Sequence, residues 1–454
     1  MRNEKFYHET YRPQFHFTAK KNWLNDPNGL MYYKGEYHLF FQHNPSGIDW
    51  GNMTWGHAVS PDMIHWEQLD HAIYPDELGT IFSGSGVVDW NNTSSFKTGD
   101  ESVMVCIYTS AGDCVTPKVP FTQSIAYSND KGRTWSKYSN NPVLGHIIGS
   151  NRDPKVIRHT PTEKWIMALY LDGNDYALFS SPNLKEWTRI YDLKLPDTGE
   201  CPDIFELPVD GDPENKKWVF WGGNGNHYIG TFDGLKFTSE SELLKTEFGA
   251  NCYAAQTWSD IPEYDGRRIQ IAWMSGGKYP DMPFNQQMSF PCKLFLKTIP
   301  DGIRMFRQPI REIENIHQKE HSWYDEVLKS GEKLLSGISG ELFDIRAEFE
   351  LGKAGEFGFI IHGEKVQYNV VNSQLSCLSR SATLNPIGNK IKLQILVDRA
   401  SIEVFGNDGR VSLSSCFLPN LDNKSLSVYA DGGDAKISSL TIYELCSAWN
   451  GISK

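Results

Sequence analysis

The sequence predicts an all-β protein, a β-propeller followed by a β-sandwich, and three observations carry that prediction. Aromatic residues are abundant, with 14 Trp, 20 Tyr and 24 Phe, and short strand-like runs recur while helical periodicity is scarce. A strand, a polar turn and a Trp repeat as a unit along the first half. After about residue 310 the Gly/Trp-rich pattern stops and a different alternation begins.

The repeats come first in the chain. "HAVSPDMIHW" at 57–66, "IAYSNDKGRTW" at 125–135 and "ALFSSPNLKEW" at 177–187 align on Trp66, Trp135 and Trp187, and "YIGTFDGLKF" at 228–237 is a weaker fourth copy. The tryptophans lie 69 and 52 positions apart, long enough for several strands per unit, which fits propeller blades better than a solenoid. Next, "QPIREIENIHQKEHSWYDEVL" at 308–328 is charged and helix-compatible. It reads as a junction, giving a propeller over 1–312, a linker over 313–330 and a sandwich over 331–454. Within the last part "LFDIRAEFEL", "FGFIIHGE", "KVQYNVV" and "LSVYA" alternate apolar and polar residues, and Asn407, Asp408 and Gly409 carry a hairpin turn signal.

Composition narrows the partners. A formal charge of -12 disfavours nucleic acid and anionic membranes, and a neutral ligand is unaffected by it. No apolar run reaches the roughly 20 residues of a membrane span, and the first residues lack the apolar core of a secretory signal. The eight cysteines show no CxxC pair or regular spacing, so neither zinc nor a disulfide framework is signalled. The expectation is reduced thiols and a cytoplasmic protein, or a secreted one whose leader has been removed. Oligomeric state is left open.

Of the 56 acidic residues most must be solvated surface charges, but three stand apart. Asp26 in "WLNDPNG", Asp153 in "SNRDPKV" and Glu200 in "TGECPDIF" each have Pro one or two positions on, which predicts extended backbone at a strand end. Each alone has an ordinary structural role: an Asx turn for Asp26, a salt bridge to Arg152 for Asp153, a surface loop for Glu200. Together, on different blades that converge on one axis, they suit glycosidic cleavage, which needs one carboxyl to attack and one to donate a proton. Gln42, Trp50, Ser83, Tyr253, Gln256 and Trp273 add polar and aromatic groups suited to sugar hydroxyls and ring faces.

Five segments in order, "WLNDPNG", "FSGSG" at 82–86, "RDP" at 152–154, "ECPD" at 200–203 and "YAAQTW" at 253–258, resemble glycoside hydrolase family 32, the β-fructofuranosidases, and "DRASIEVFGNDG" at 398–409 is similar to that family's C-terminal sandwich. The resemblance implies a five-bladed β-propeller with a funnel-shaped pocket at its axis, and a retaining mechanism; no metal or cofactor is expected, because the acids are taken up by proton and glycosyl transfer and no His cluster supplies ligands. Carried over by position, Asp26 is the nucleophile, Glu200 the general acid/base and Asp153 the transition-state stabiliser. Asn25, Gln42, Trp50, Phe82, Ser83, Arg152, Tyr253 and Trp273 then bind substrate.

The chemistry sets further expectations. Asp26 has to be ionised, and donors such as Asn25 and Ser83 are expected to hold its pKa low. Glu200 has to deliver a proton. Arg152 and Asp153 are strand neighbours whose side chains would point to opposite faces, so both reach one pocket only if the backbone bends at Pro154. Cys201 is expected to pack rather than react. Residues 257–294 resemble the levanase and exo-inulinase branch, which implies exo-acting hydrolysis of fructans, fructooligosaccharides and sucrose. The alternatives are a sucrose or sucrose-6-phosphate hydrolase, a non-catalytic sugar-binding propeller, and an inverting five-bladed glycosidase acting on arabinose polymers. A phosphate binder would want a cationic rim, for which Arg267, Arg268 and Lys278 are the candidates.

Overall fold

A computed structural model describes residues 6–331, 334–335 and 337–449. Among these residues regular structure is almost all strand, interrupted by three short 3-10 turns. The Trp repeats are hairpin closures of one design. Ser60, Ser128 and Ser181 share hydrogen bonds with Asp62, Asp130 and Asn183 two residues on, and the indoles of Trp66, Trp135 and Trp187 donate to the carbonyls of Met63, Gly132 and Leu184, each at 3.0 Å. In the fourth copy Asp233 caps the turn by accepting from the Leu235 and Lys236 amides.

Each closure ends an antiparallel sheet. Asn22–Tyr33, Glu36–Asn44 and Thr54–Ser60 build the first, Thr80–Asp89, Val103–Ala111 and Thr122–Ser128 the second, and Arg152–His159, Lys164–Asp172, Asp175–Ser181 and Thr188–Lys194 the third. A nine-stranded sheet follows, in which Asp203–Val209 meets Cys292–Ile299 through a single parallel pair, Val209 with Leu296. The leading strands of these sheets pack on one another in a closed ring: Asn22–Tyr33 on Thr80–Asp89, then Arg152–His159, Asp203–Val209, Tyr253–Thr257 and back to Asn22–Tyr33.

The second unit is two sheets, of six and five strands, face to face. Inward residues such as Ile345, Phe349, Ile395, Phe359, Val366 and Val428 form its core. Asn407, Asp408 and Gly409 have φ of 47°, 60° and 85° and join the paired strands Ser401–Gly406 and Val411–Cys416, as the turn signal predicts.

Residues 313–330 differ from the expected linker. Arg311–Ile316 is a 3-10 turn, and His317–Leu328 is a strand at the edge of the six-stranded sheet, paired with Ala435–Leu445. An edge strand has one uncovered side and tolerates charge, so its sequence looks helix-compatible and polar.

Candidate active site

The pocket lies at one end of the ring and encloses about 440 Å³, within the range of small-ligand sites. Backbone irregularities bring the side chains there. In the leading strand of the first sheet Leu24 pairs with His43 and Pro27 with Phe41, so Asn25 and Asp26 together oppose Gln42. Phe82 and Ser83 together oppose Thr109, and Asp153 and Pro154 together oppose Leu169. Ala254 and Ala255 oppose Ala272. A bulge of this kind interrupts the alternation of sides, so adjacent residues reach the same cavity. The expected bend beside Arg152 is therefore present, but its hinge is Asp153, at φ 63°, rather than extended backbone before Pro154. Cys201, after Glu200, has φ 53°.

Eleven of the twelve residues singled out for the site line this cavity: Asn25, Asp26 and Gln42 from the first sheet, Trp50, Phe82 and Ser83 beside them, then Arg152, Asp153, Glu200, Tyr253 and Trp273. Gln256 does not; it is buried beneath the wall and donates to the Gly84 carbonyl at 3.2 Å. Asp113, Cys114, Phe121 and Ser150 also line the cavity without having been singled out.

Asp26 Oδ2 accepts from Ser83 Oγ at 2.5 Å and its Oδ1 from Asn25 Nδ2 at 3.1 Å. Both expected donors are in place, yet the pKa of Asp26 is raised, because burial outweighs them and the charge of Glu200 adds to it. Asp153 is pushed to about 7, first by burial and then by the Glu200 charge, against the opposing pull of Arg152. Cys201 sits between the two, its Sγ 3.7 Å from Asp26 and 3.4 Å from Asp153, and its amide donates to Asp153 Oδ2 at 3.2 Å. Burial drives the thiol pKa well up, so it packs and donates rather than attacks.

Glu200 is held from both sides. Tyr253 donates its hydroxyl to Oε1 at 2.8 Å, and Arg152 binds Oε2 through Nε at 2.8 Å and through Nη2. Arg152 also donates to Ser150, which gives that pocket residue a positioning role. Trp50, 54% exposed, stands edge-on to Phe82, and Phe82 edge-on to Phe121, so three aromatic rings form one side of the mouth. Trp273 lies between Trp23 and Tyr253. Gln42 is 2% exposed and its Nε2 has no hydrogen-bond partner, a buried donor that a sugar hydroxyl would satisfy. Among the described residues no group of three or more His, Cys, Asp or Glu side chains is placed to hold a metal ion.

Residues 16–309 match the family described as the glycosyl hydrolases family 32 N-terminal domain, and residues 312–444 match its C-terminal counterpart. The chain belongs to glycoside hydrolase family 32. This family 32 chain is 44% identical to a levanase of Bacillus subtilis over 98% of its own length and 72% of the relative's. It is 31% identical to the extracellular exo-inulinase of Aspergillus awamori, over 98% of this chain and 96% of that one. The crystal structure of exo-inulinase from that fungus superposes with a TM-score of 0.88 at 30% identity, covering 98% of this chain and all of the other. A Schwanniomyces occidentalis β-fructofuranosidase complexed with fructosyl-erythritol gives 0.88 at 27% identity over 98% of this chain and 99% of that chain. As a member of family 32 the protein is a glycoside hydrolase, nearly all β, and among its described residues no helix is long and apolar enough to cross a membrane.

Proposed function

We propose that the protein is a retaining, exo-acting β-fructofuranosidase that releases terminal non-reducing β-D-fructofuranosyl units from levan, inulin, fructooligosaccharides and sucrose. The observation that carries the reading is the convergence of Asp26, Asp153 and Glu200 on one cavity whose other walls are amides and aromatic rings. Asp26 attacks the anomeric carbon while Glu200 gives its proton to the leaving oxygen. Glu200 then takes a proton from the water that hydrolyses the fructosyl-enzyme. Asp153 binds fructosyl hydroxyls and stabilises the transition state. Asn25, Gln42, Trp50, Ser83, Arg152 and Trp273 hold the fructose ring, and Phe82 and Tyr253 meet the leaving group.

Exo action is supported by a buried cation that ties three of the inner strands together beneath the pocket, and by the relatives named exo-inulinase. Lys155 is that cation, its Nζ 3.2 Å from Asp203 Oδ1 and donating to the Thr257 carbonyl at 2.9 Å. A funnel plugged in this way admits a chain end and cannot thread a polymer. We take the propeller to be five-bladed, with the nine-stranded sheet divided at the Val209 and Leu296 pair into a fourth and a fifth blade; the ring of five leading strands supports this. In this division residues 1–312 are the catalytic unit, and the His317–Leu328 strand belongs with the sandwich.

A sugar-phosphate substrate is disfavoured by charge. Arg152 is already paired with Glu200, while Asp26, Asp153 and Asp113 also line the cavity. Of the rim candidates, Arg267 is paired with Asp265 and Glu312, Arg268 donates to the Trp258 carbonyl, and neither they nor Lys278 line the pocket. The relatives named extracellular sit beside eight cysteines that are all free, a state that suits a reducing compartment. Chromatography of the first few per cent of levan and inulin digestion tests the proposal. Free fructose alone is expected; di- to tetra-fructosides ahead of fructose would refute exo action, and sucrose turnover without fructan turnover would make the enzyme an invertase.

A further inference from the structure

We infer that Asn251 is a positioning residue through which the sandwich sets the geometry of the catalytic pocket, an inference that rests on the reading of Glu200 as the acid/base. The edge strand Val411–Cys416 of the sandwich does not stop at the sandwich. Its Ser412 forms a parallel bridge with Glu247 of the propeller, and the chain from 246 to 251 then follows it. The Ser412 amide donates to the Thr246 carbonyl at 2.9 Å, the Phe248 amide to Ser412 at 2.8 Å and the Asn251 amide to Ser414 at 3.0 Å. The approach is so close that a Cβ on Gly249 would lie 2.1 Å from the Ser414 carbonyl oxygen.

Asn251 closes this seam and opens the site. Its Oδ1 accepts from the Cys416 amide at 2.8 Å, and its Nδ2 donates to the Ser275 carbonyl, two residues beyond Trp273. Two residues further on, Tyr253 donates to Glu200 Oε1. The next amide, Ala254, donates to the Gly223 carbonyl at 2.8 Å, and the Gly223 amide donates to the Glu200 carbonyl at 2.8 Å. Asn251 itself does not line the cavity. One side chain therefore ties the sandwich to the backbone that holds the proton donor and to the loop that holds a fructose-binding indole. The two bonds are chemically separable, because an aspartate keeps the acceptor for Cys416 and loses the donor for Ser275.

The test compares Asn251→Ala and Asn251→Asp on sucrose, whose leaving group needs a proton, and on β-fructosyl fluoride, whose leaving group does not. Asn251→Ala is expected to lower kcat on sucrose about tenfold, as a small misplacement of a catalytic group does, while changing the first-turnover rate of fluoride release less than about twofold. Asn251→Asp is expected to raise KM for both substrates with a smaller change in kcat on sucrose. Should Asn251→Ala fail to fold, the KM against kcat split of Asn251→Asp decides alone. Equal losses on both substrates, or no change in KM with the aspartate, would overturn the inference. Glu200→Ala is measured on the same pair by first-turnover release of the leaving group, before its fructosyl-enzyme stalls: if it slows glucose release from sucrose no more than fluoride release, the reading of Glu200 falls and takes this inference with it. If it is selective and the Asn251 variants are not, only this inference falls.

Discussion

Carboxylates gather in two places in this molecule, and they are treated in opposite ways. At the seam between propeller and sandwich, buried His16 places Nδ1 2.8 Å from Asp398 and Nε2 2.8 Å from Glu403. Asp398 also accepts from the amides of Gln14, Phe15 and His16, and Glu403 from the Phe290 amide and Ser414. Burial works to raise both acids, yet the His16 hydrogen bonds and charge outweigh it and hold them below the usual carboxylate range. The pair in turn lifts His16 to about 9 against its own desolvation. At the pocket, both Asp26 and Asp153 are raised, first by loss of solvent and then by the charge of Glu200, to which Asp26 adds in the case of Asp153, and among the described residues no buried cation pairs with Asp26 to offset it. At the seam a buried cation offsets the two carboxylates and the group holds the structure together; at the pocket desolvation and like charge outweigh the hydrogen bonds to Asp26, which leaves its proton affinity raised.

The largest effect should come from breaking the pocket. Asp26→Asn is expected to lower turnover by about 10⁴-fold or more on every substrate, as loss of a nucleophile does, with the folded state intact by circular dichroism. Retention of more than a hundredth of the activity would contradict its role. Asp153→Asn sharpens the contrast because it moves activity and stability in different directions. Turnover should fall about 10²–10³-fold, the cost of losing one transition-state contact. An acid whose pKa is raised on folding costs the folded state stability progressively as pH rises from the ordinary carboxylate range to about 7, and above that the whole cost is present and the amide relieves it. The Tm of Asp153→Asn at pH 8 should therefore match or exceed that of the parent; a clear fall would refute this electrostatic reading.

Breaking the seam should do the reverse. His16→Ala leaves two buried carboxylates without their cation and is expected to cost about 3–5 kcal/mol in denaturant unfolding, while kcat per folded molecule changes little. An unchanged unfolding midpoint would show that the triad carries no stability. The smallest effect is in pH. His16 has a raised pKa in the folded state, so its contribution is complete below about 6.5 and is lost as pH rises through about 9. Asp398 and Glu403, with lowered pKa, contribute above the ordinary carboxylate range and lose that contribution as pH falls through their folded values. Tm measured from pH 6 to 10 should decline on the alkaline side, and His16→Ala should flatten that decline.

Much of the pocket was legible in the sequence because its residues cluster in short motifs with unusual neighbours: an acid before Pro, an amide beside it, a Trp nearby. Ser150 was within reach, since it opens the "SNRDPKV" segment, whereas Asp113, Cys114 and Phe121 come from a connecting loop that carries no motif. The bulges were legible only at Arg152 and Asp153, where two adjacent residues both had chemistry to do. Elsewhere a bulge depends on the register of the partner strand, which local sequence does not encode. The charge of 313–330 concealed an edge strand for the same reason. Burial of Asp26 could not be weighed against its donors from sequence, because both the burial and the donors Ser83 and Cys201 come from segments far apart in the chain.

The proposed mechanism requires Asp26 to form a bond to fructose while Glu200 handles the proton. Glu200→Ala incubated with β-fructosyl fluoride should form the fructosyl-enzyme and then stall, since the residue that activates water is missing. Peptide mapping by mass spectrometry of the quenched protein should place one hexosyl group on the peptide containing Asp26, and added azide should discharge it as β-fructosyl azide. A hexosyl group on another residue, or product released as the α-anomer with no adduct at any time, would contradict the mechanism.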